Sequence, residues 1–211
     1  ALSINPNAEI IPCKTFDECF LKATKDSSSK IIIPESNRIT GNIGIEYLIF
    51  KHRLNIYAEH FHIIEHNLLG LPGTNIKDIK NVFSHAQALS QCSEFIKKNN
   101  LNENVRADTA GSAELIAKNK IKNDAAIASK LSAEIYKLEI IASNIENEKG
   151  NVTRFLIMGK TVSQPEFKSG KYITSFLFKL KSKPAALYSA LSGFAIQGVN
   201  LTKLQSYPEK N

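Results

Sequence analysis

Three strand-to-helix junctions follow one another along the middle of the chain, and this alternation restricts the fold more than any other feature. In "NVFSHAQALSQCSEFIKKNN" (81–100) a short apolar run precedes apolar residues at helical spacing, and "VRADTAGSAELIAKNK" (105–120) and "NDAAIASKLSAEIYKLEIIASNI" (123–145) repeat the pattern. Strands that alternate with helices predict a mainly parallel sheet covered on both faces. We therefore expect an α/β protein, and its 211 residues are enough for one sizeable core with a small second unit.

The starts of these helices predict where a ligand binds. Each helix begins with a residue that caps well: Ser84, then Asp108 or Thr109, then Asn123 or Asp124. In the first two junctions, small neighbouring residues leave the backbone N–H groups of the first turn approachable. Such N–H groups attract anions, and open α/β sheets bind ligands at the carboxyl ends of their strands. The junctions therefore predict a cleft for a small anionic molecule.

Other segments give simpler predictions. "TFDECFLKAT" (15–24) predicts a helix capped by Thr15, and "KIIIP" predicts a buried strand that stops at Pro34. Residues 54–70 predict one long strand or two short ones. Past residue 160, the pattern predicts a strand, a helix and a strand. These are "KYITSFLFKL" (171–180), "KPAALYSALSGFAIQG" (183–198) and "VNLTKLQSYP" (199–208), respectively. We expect this part to be a second, smaller unit.

Composition excludes several classes of function. The net charge of +7 comes from scattered lysines with only four arginines and no interleaved aromatic stripe, so we predict no nucleic-acid partner. No apolar run approaches the roughly 20 residues that span a bilayer, and the first residues of the sequence show no basic segment followed by an apolar one, so we expect a cytoplasmic protein without a membrane partner. Cys13, Cys19 and Cys92 lack metal-ligand spacing. The only methionine is Met158, so we expect a processed product or a fragment.

The stretch "NVTRFLIMG" (151–159) places a hydroxyl beside a guanidinium. In a strand, side chains alternate between faces, so Thr153 and Phe155 share one face while Arg154 points to the other. A match to a motif as short as the tripeptide Thr153-Arg154-Phe155 is most often accidental, so the rest of the sequence must decide whether it is functional.

Five stretches supply that context: "FSHAQALSQC" (83–92), "ADTAGSAELIA" (107–117), "AAIASKLSAEIYKLEIIASNIEN" (125–147), "NVTRFLIMG" and "KPAALYSALSGFAIQGVNLTKLQSYP" (183–208). In order and spacing they resemble prephenate dehydratase, an enzyme of phenylalanine biosynthesis that ends in an ACT regulatory domain. The resemblance covers residues 9–208. It implies a two-lobed catalytic domain at 1–160, similar to periplasmic binding proteins, with lobes of about 1–70 plus 140–160 and of 71–139. A connector at 161–170 and a partial α+β, ferredoxin-like ACT domain at 171–211 follow.

The resemblance also implies a reaction and a set of site residues. Prephenate loses carbon dioxide and water to give phenylpyruvate, and the reaction requires no metal or other cofactor. By position, Thr153 is the catalytic residue, which donates a hydrogen bond to the leaving hydroxide or relays a proton to it. The substrate-binding residues are then Asn37, Ser84, His85, Gln87, Gln91, Thr109, Arg154 and Phe155. Arg154 has an alternative role in anchoring its strand, and His85 has one as a general base.

The sequence departs from the family's motifs in both the catalytic and the regulatory part. The stretch "PESNR" (34–38) keeps the family's asparagine as Asn37 but not its neighbours. The residues at the L-phenylalanine site of the ACT domain are Ala185, Ala186, Leu187, Asn200, Gln205 and Ser206, and two of its motifs differ from the family's. We expect a homo-oligomer, a dimer or tetramer, in which L-phenylalanine is a weak or lost effector. Two other functions stay open: arogenate dehydratase, and a non-catalytic homologue that binds an aromatic amino acid.

Overall fold

A computed structural model describes residues 4–161, 172–176 and 178–206 of the chain. The helices are α1 (Phe16–Lys25), α2 (Glu46–His52), α3 (Ala86–Gln91), α4 (Ser93–Lys98), α5 (Thr109–Asn119), α6 (Lys130–Tyr136) and α7 (Ala186–Ile196), with a 3₁₀ turn at Ile76–Asp78. The strands are β1 (Lys30–Asn37), β2 (Gly41–Asn42), β3 (Asn55–Ile63), β4 (Asn67–Gly70), β5 (Asn81–His85), β6 (Asn102–Arg106), β7 (Asp124–Ala128), β8 (Glu139–Ala142) and β9 (Val152–Gly159).

The chain divides into two compact units. The first unit comprises Ala1–Ile33, Gly44–Glu59 and Leu156–Asn211, and the second comprises Pro34–Ile43 and His60–Phe155. The division passes through β1, β3 and β9, which belong to a four-stranded sheet of order β2-β1-β9-β3. The lobe boundaries implied by the resemblance stay a prediction.

The second unit contains a five-stranded sheet of order β6-β5-β7-β4-β8. Strands β5, β6 and β7 are parallel, as the alternation predicts, whereas β4 runs antiparallel to both β7 and β8. The predicted mainly parallel sheet is therefore confirmed for β5, β6 and β7, and β8 runs in the same direction as these strands. Only β4, which lies between β7 and β8, runs in the opposite direction.

Helices cover both faces of this sheet, as predicted. On one face α3 and α4 bury Ala88, Leu89, Cys92 and Ile96 against Leu68, Val82 and Ile127. On the other face α5 and α6 bury Ala113, Ile116 and Ala133 against Leu69, Ala126 and Ala128. The neighbours Leu68 and Leu69 pack on opposite faces because side chains alternate along a strand. All five residues of β7 are buried, so this strand lies at the centre of the core.

The first unit has its own core. Helix α1 begins after Thr15, whose side chain accepts the Glu18 N–H, so the predicted helix and cap are confirmed. Phe20 and Ala23 on its buried face pack with residues of the strands and of α2, namely Ile31, Ile33, Ile45, Leu54, Leu156 and Met158. Within the described part of the chain, no helix is long and apolar enough to cross a membrane.

The prediction that a strand stops at Pro34 is wrong. Strand β1 continues to Asn37, and Ser36 and Asn37 pair with Asn42 and Gly41 of β2. A proline removes one backbone donor, and its fixed φ is compatible with extended structure, so a strand with partners beyond it can continue. This continuation carries Asn37 to the candidate site.

The predicted strands of the smaller unit are not found in its described residues. Helix α7 is present where the sequence predicts it. Residues 172–176, 178–180 and 199–206 form no strand, while 171, 177, 207 and 208 lie outside the described residues. An extended segment becomes a strand only when another strand pairs with it, and here Phe176 instead stacks on Phe194 of α7, with ring centroids 5.3 Å apart.

Candidate active site

The hydroxyl of Thr153 lies beside the side chain of Asn37, and this pair is the centre of the candidate site. Asn37 ends β1, Thr153 is the second residue of β9, and the two strands are neighbours. Asn37 Nδ2 donates to Thr153 Oγ1 at 2.9 Å. Thr153 is 8% exposed, and within the described residues its own hydroxyl proton has no acceptor. The hydroxyl therefore keeps a proton to donate to a bound molecule.

The backbone fixes the orientation of the Asn37 amide from its other side. Asn37 Oδ1 accepts the N–H groups of Ile39 and Thr40, each at 3.0 Å. An oxygen that receives two backbone donors is the acceptor end of the amide, so Nδ2 faces Thr153 and also Asn151, whose Oδ1 is 2.6 Å away. The turn after β1 thus aims the donor at the Thr153 hydroxyl.

Gln91 and His66 extend the contacts beyond Asn151. Gln91 Oε1 accepts from Asn151 Nδ2 at 3.2 Å and lies 2.7 Å from His66 Nε2. Asn151 and His66 are buried, and Gln91 is half-buried. The other predicted substrate-binding glutamine, Gln87, is exposed, whereas Gln91 contacts Asn151.

Arg154 points away from Thr153, as strand alternation predicts, and contacts Glu35. Arg154 Nη1 lies 3.3 Å from Glu35 Oε2, which also accepts from the Ser36 hydroxyl at 2.6 Å. Glu35 is only 5% exposed. A buried carboxylate needs a compensating cation, so this ion pair ties β9 to β1. The contact supports the anchoring role for Arg154.

A surface hollow lies against this ion pair. Its volume is about 280 Å³, and it is lined by Ser36, Asn37, Arg38, Phe61, Val152 and Arg154. Val152 and Arg154 lie on the strand face opposite Thr153, which does not line the hollow. The hollow is therefore a separate feature from the Thr153 hydroxyl.

Phe155 shares the face of Thr153 by alternation and packs against a histidine. Its ring meets that of His62 edge-on, with centroids 6.5 Å apart. Phe155 is half-buried, so part of the ring is accessible. Its role in binding the substrate stays a prediction.

The first helix start differs from the prediction. Ser84 is fully buried in β5, and its hydroxyl donates to the Ile127 carbonyl at 2.6 Å. The cap of α3 is instead His85, whose Nδ1 accepts the Gln87 N–H at 3.3 Å. The sequence predicts that Ser84 caps the helix and binds substrate. In the structure β5 continues one residue beyond Ser84, and the Ser84 hydroxyl donates to the neighbouring strand β7. His85 and Gln87 are exposed.

The other two helix starts give one confirmation and one correction. Asp108 caps α5 by accepting the Gly111 N–H at 2.5 Å, so it is the cap and Thr109 is the first helical residue. The cap of α6 is Ser129, whereas Asp124 begins strand β7, so the predicted cap at 123 or 124 is wrong. The strand itself lies between the predicted cap and the helix.

The structure brings some predicted residues together and leaves others apart. Asn37, Gln91 and Thr153 meet through Asn151, whereas no hydrogen bond among the described residues joins His85, Gln87 or Thr109 to this group. Sequence analysis missed Asn151, His66 and Glu35. Asn151 lies two residues before Thr153, and this period of two is a signal for a shared strand face. His66 carried no such signal, since its partner Gln91 is 25 residues away.

The predicted L-phenylalanine-site residues lie within or near α7 in the chain, and all are exposed except Ala186, which is half-buried. Ala185 precedes the helix in a left-handed conformation, φ 61°, and Leu187 is 48% exposed. Asn200, Gln205 and Ser206 lie in exposed, irregular structure. Their role stays a prediction.

No group of three or more metal-ligating side chains is clustered in the described part of the chain.

Comparison with known proteins places this chain in a family. The family model described as "Prephenate dehydratase" matches residues 1–163. The chain belongs to the prephenate dehydratase family. Arogenate dehydratase/prephenate dehydratase 1, chloroplastic, of Arabidopsis thaliana is 37% identical over 211 residues, which are 100% of this chain and 54% of that protein. The chain thus spans about half the length of this relative.

Two further members of the family extend the comparison. The bifunctional N-acyl-homoserine lactone acylase/prephenate dehydratase of Komagataeibacter europaeus is 34% identical over 203 residues, covering 96% of this chain and 72% of that protein. The crystal structure of prephenate dehydratase from Arthrobacter aurescens in complex with L-Phe has a TM-score of 0.82 at 23% identity and covers 98% of this chain and 71% of that one. This likeness confirms the predicted α/β, periplasmic-binding-protein-like fold.

Proposed function

We propose that this chain catalyses the decarboxylating dehydration of prephenate to phenylpyruvate, a step of phenylalanine biosynthesis. One observation carries the proposal: Asn37 donates to the Thr153 oxygen at 2.9 Å and leaves the Thr153 proton free to be donated. A buried threonine held in this way is suited to a leaving group that departs as an oxygen anion. The chain's membership of the prephenate dehydratase family supplies the substrate class.

The chemistry requires such a donor. The bond from the ring to its carboxylate breaks, its electron pair enters the ring, and the ring C–O bond breaks as the ring becomes aromatic. Carbon dioxide and water leave, so the reaction is redox-neutral. Hydroxide is a poor leaving group unless a hydrogen bond or a proton reaches its oxygen as the bond breaks. Thr153 supplies that hydrogen bond and passes its proton to the departing oxygen, which leaves as water. Asn37 stabilises the charge that develops on the threonine oxygen, and a proton from solvent then restores the hydroxyl.

Substrate binding is the less direct part of the proposal. The two carboxylates of prephenate need hydrogen-bond donors, and we assign this role to the exposed side chains of His85 and Gln87 and to the half-buried Thr109 with its backbone N–H. Arg154 anchors its strand, because its charge is already balanced by Glu35. We assign catalysis to residues 1–160 and regulation to 171–211.

Arogenate is the second candidate substrate. It differs from prephenate only in the side chain, where an amino acid replaces a keto acid, and the ring chemistry at Thr153 is the same. The observation that favours it is the name of the Arabidopsis thaliana relative, which includes both activities. That relative is also chloroplastic, so the cytoplasmic location stays a prediction.

The test is a direct assay with both substrates. Purified chain is incubated with prephenate, and phenylpyruvate is read by its absorbance in alkali; arogenate is assayed in parallel by the phenylalanine formed. Thr153→Ala is the inactive control, and Thr153→Ser keeps the hydroxyl. Binding of either substrate without product would instead support the non-catalytic homologue. No binding and no product would refute the proposal.

A further inference from the structure

We propose that His66 is a positioning residue of the dehydration, acting on the Thr153 hydroxyl through Gln91, Asn151 and Asn37. The inference rests on the proposed function and deepens it. His66 does not touch Thr153. Its Nε2 is 2.7 Å from Gln91 Oε1, and three side-chain amides connect that contact to the hydroxyl.

The network has one direction of donation. Each amide could in principle face either way, because its oxygen and nitrogen are similar in size. The backbone N–H groups that bond Asn37 Oδ1 remove this freedom at one end. Asn37 Nδ2 must then donate to Asn151 Oδ1, Asn151 Nδ2 to Gln91 Oε1, and Gln91 Oε1 accepts again from the imidazole. His66 Nε2 must therefore carry a proton.

The imidazole is held in place for this contact. His66 follows β3 and directly precedes β4, and it is 6% exposed. Its carbonyl accepts the Ile145 N–H at 3.0 Å, and its own N–H donates to Glu146 Oε2 at 3.1 Å. A ring on a backbone fixed from both sides presents its nitrogen at a constant position. This is what a positioning role needs.

Loss of the imidazole donor would loosen the network at its far end. Gln91 Oε1 would keep only Asn151 Nδ2, at 3.2 Å, as its partner, so both amides would be held less firmly. Because Asn151 Oδ1 accepts from Asn37 Nδ2 at 2.6 Å, a displaced Asn151 would also shift Asn37, and the Thr153 hydroxyl would lose the direction of its proton. The reaction would suffer more than substrate binding, because the hydroxyl acts on the leaving group in the transition state.

The kinetic test compares three variants with the wild type. His66→Leu removes the donor and keeps apolar volume, whereas His66→Gln can place an amide N–H near the former Nε2. His52→Leu is the matched control, since the His52 side chain is 8% exposed and belongs to the other unit. We expect kcat to fall about tenfold in His66→Leu, which is the factor that the loss of one ordinary hydrogen bond represents. We expect KM to change by less than about threefold. His66→Gln should recover most of kcat, and His52→Leu should keep it.

A spectroscopic test is independent of turnover. Long-range ¹H–¹⁵N spectra of the wild type should show a proton on His66 Nε2. The side-chain NH₂ signals of Asn37 and Asn151 should move in His66→Leu and return in His66→Gln, with circular dichroism to confirm folding. An unprotonated Nε2, unmoved Asn37 signals, or wild-type kcat in His66→Leu would overturn the inference. If the wild type turns over neither substrate, the proposed function fails together with the catalytic half of this inference, while the spectra still decide the direction of donation.

Discussion

Replacing Ser84 with alanine should destabilise the protein without changing its affinity for substrate. Ser84 is fully buried, and its hydroxyl donates to the Ile127 carbonyl at 2.6 Å. Ser84→Ala removes the donor and leaves a buried carbonyl with one partner fewer, which costs about 1–3 kcal/mol. With a denaturant slope of about 3 kcal/mol per molar urea, a loss of about 2 kcal/mol lowers the unfolding midpoint by about 0.7 M.

The assay for Ser84 is urea unfolding followed by circular dichroism, combined with KM for prephenate. Ser90→Ala is the matched control, because Ser90 is exposed in α3, the helix that follows β5, and its replacement should shift neither quantity. This expectation differs from the one that the sequence alone gives, in which Ser84 holds the substrate. An unchanged unfolding midpoint together with a raised KM in Ser84→Ala would refute the structural reasoning.

Three further predictions concern other parts of the chain. Hydrogen bonds from Ser29 and Ser28 lower the pKa of Asp26 from 3.8 to about 2, so its stabilising contribution is present above pH 3.8 and lost as pH falls toward 2. Asp26→Asn should flatten the acid limb of stability against pH, and an identical limb in the variant would argue against the contact. Burial, with a smaller effect of the Glu146 carboxylate, raises the pKa of Cys92 to about 12, so iodoacetamide should label Cys92 at neutral pH only after unfolding; rapid labelling of the folded chain would disprove this. Helix α7 has no buried residue, so we expect self-association through residues 172–206, measured by light scattering. Because two motifs of the L-phenylalanine site differ from the family's, we expect little or no response to L-phenylalanine, measured by calorimetric titration. A monodisperse monomer that binds phenylalanine at micromolar concentration would contradict both halves.

The elements that sequence predicts well are those whose signals are local. Thr15 caps α1 as expected because an N-cap needs only its own helix. The strand-to-helix pattern of the second unit is confirmed for the same reason. Helix α2 was missed, since it has no buried residue and no side-chain cap from Ile45, so neither periodicity nor capping marks it.

Tertiary contacts set the limit for the site. Asn37 and Thr153 are 116 positions apart, and no pattern in the chain alone joins them. The resemblance to the family singled out both residues, but it did not show that one fixes the other's hydroxyl. Glu35 looked like a departure from a motif, whereas the structure makes it the partner of Arg154. Partners in space follow from strand order, which periodicity does not specify.

The most direct test of the account is the effect of Thr153→Val on the chemical step and on binding. Valine keeps the shape of threonine and removes its hydroxyl, while Thr153→Ser keeps the hydroxyl and removes the methyl group. We predict that kcat for prephenate falls about 10²- to 10³-fold in Thr153→Val, because a hydrogen bond made in the transition state is lost, while the substrate Kd changes by less than about threefold. Thr153→Ser should retain substantial turnover. A wild-type kcat in Thr153→Val would remove Thr153 from the mechanism and contradict the account.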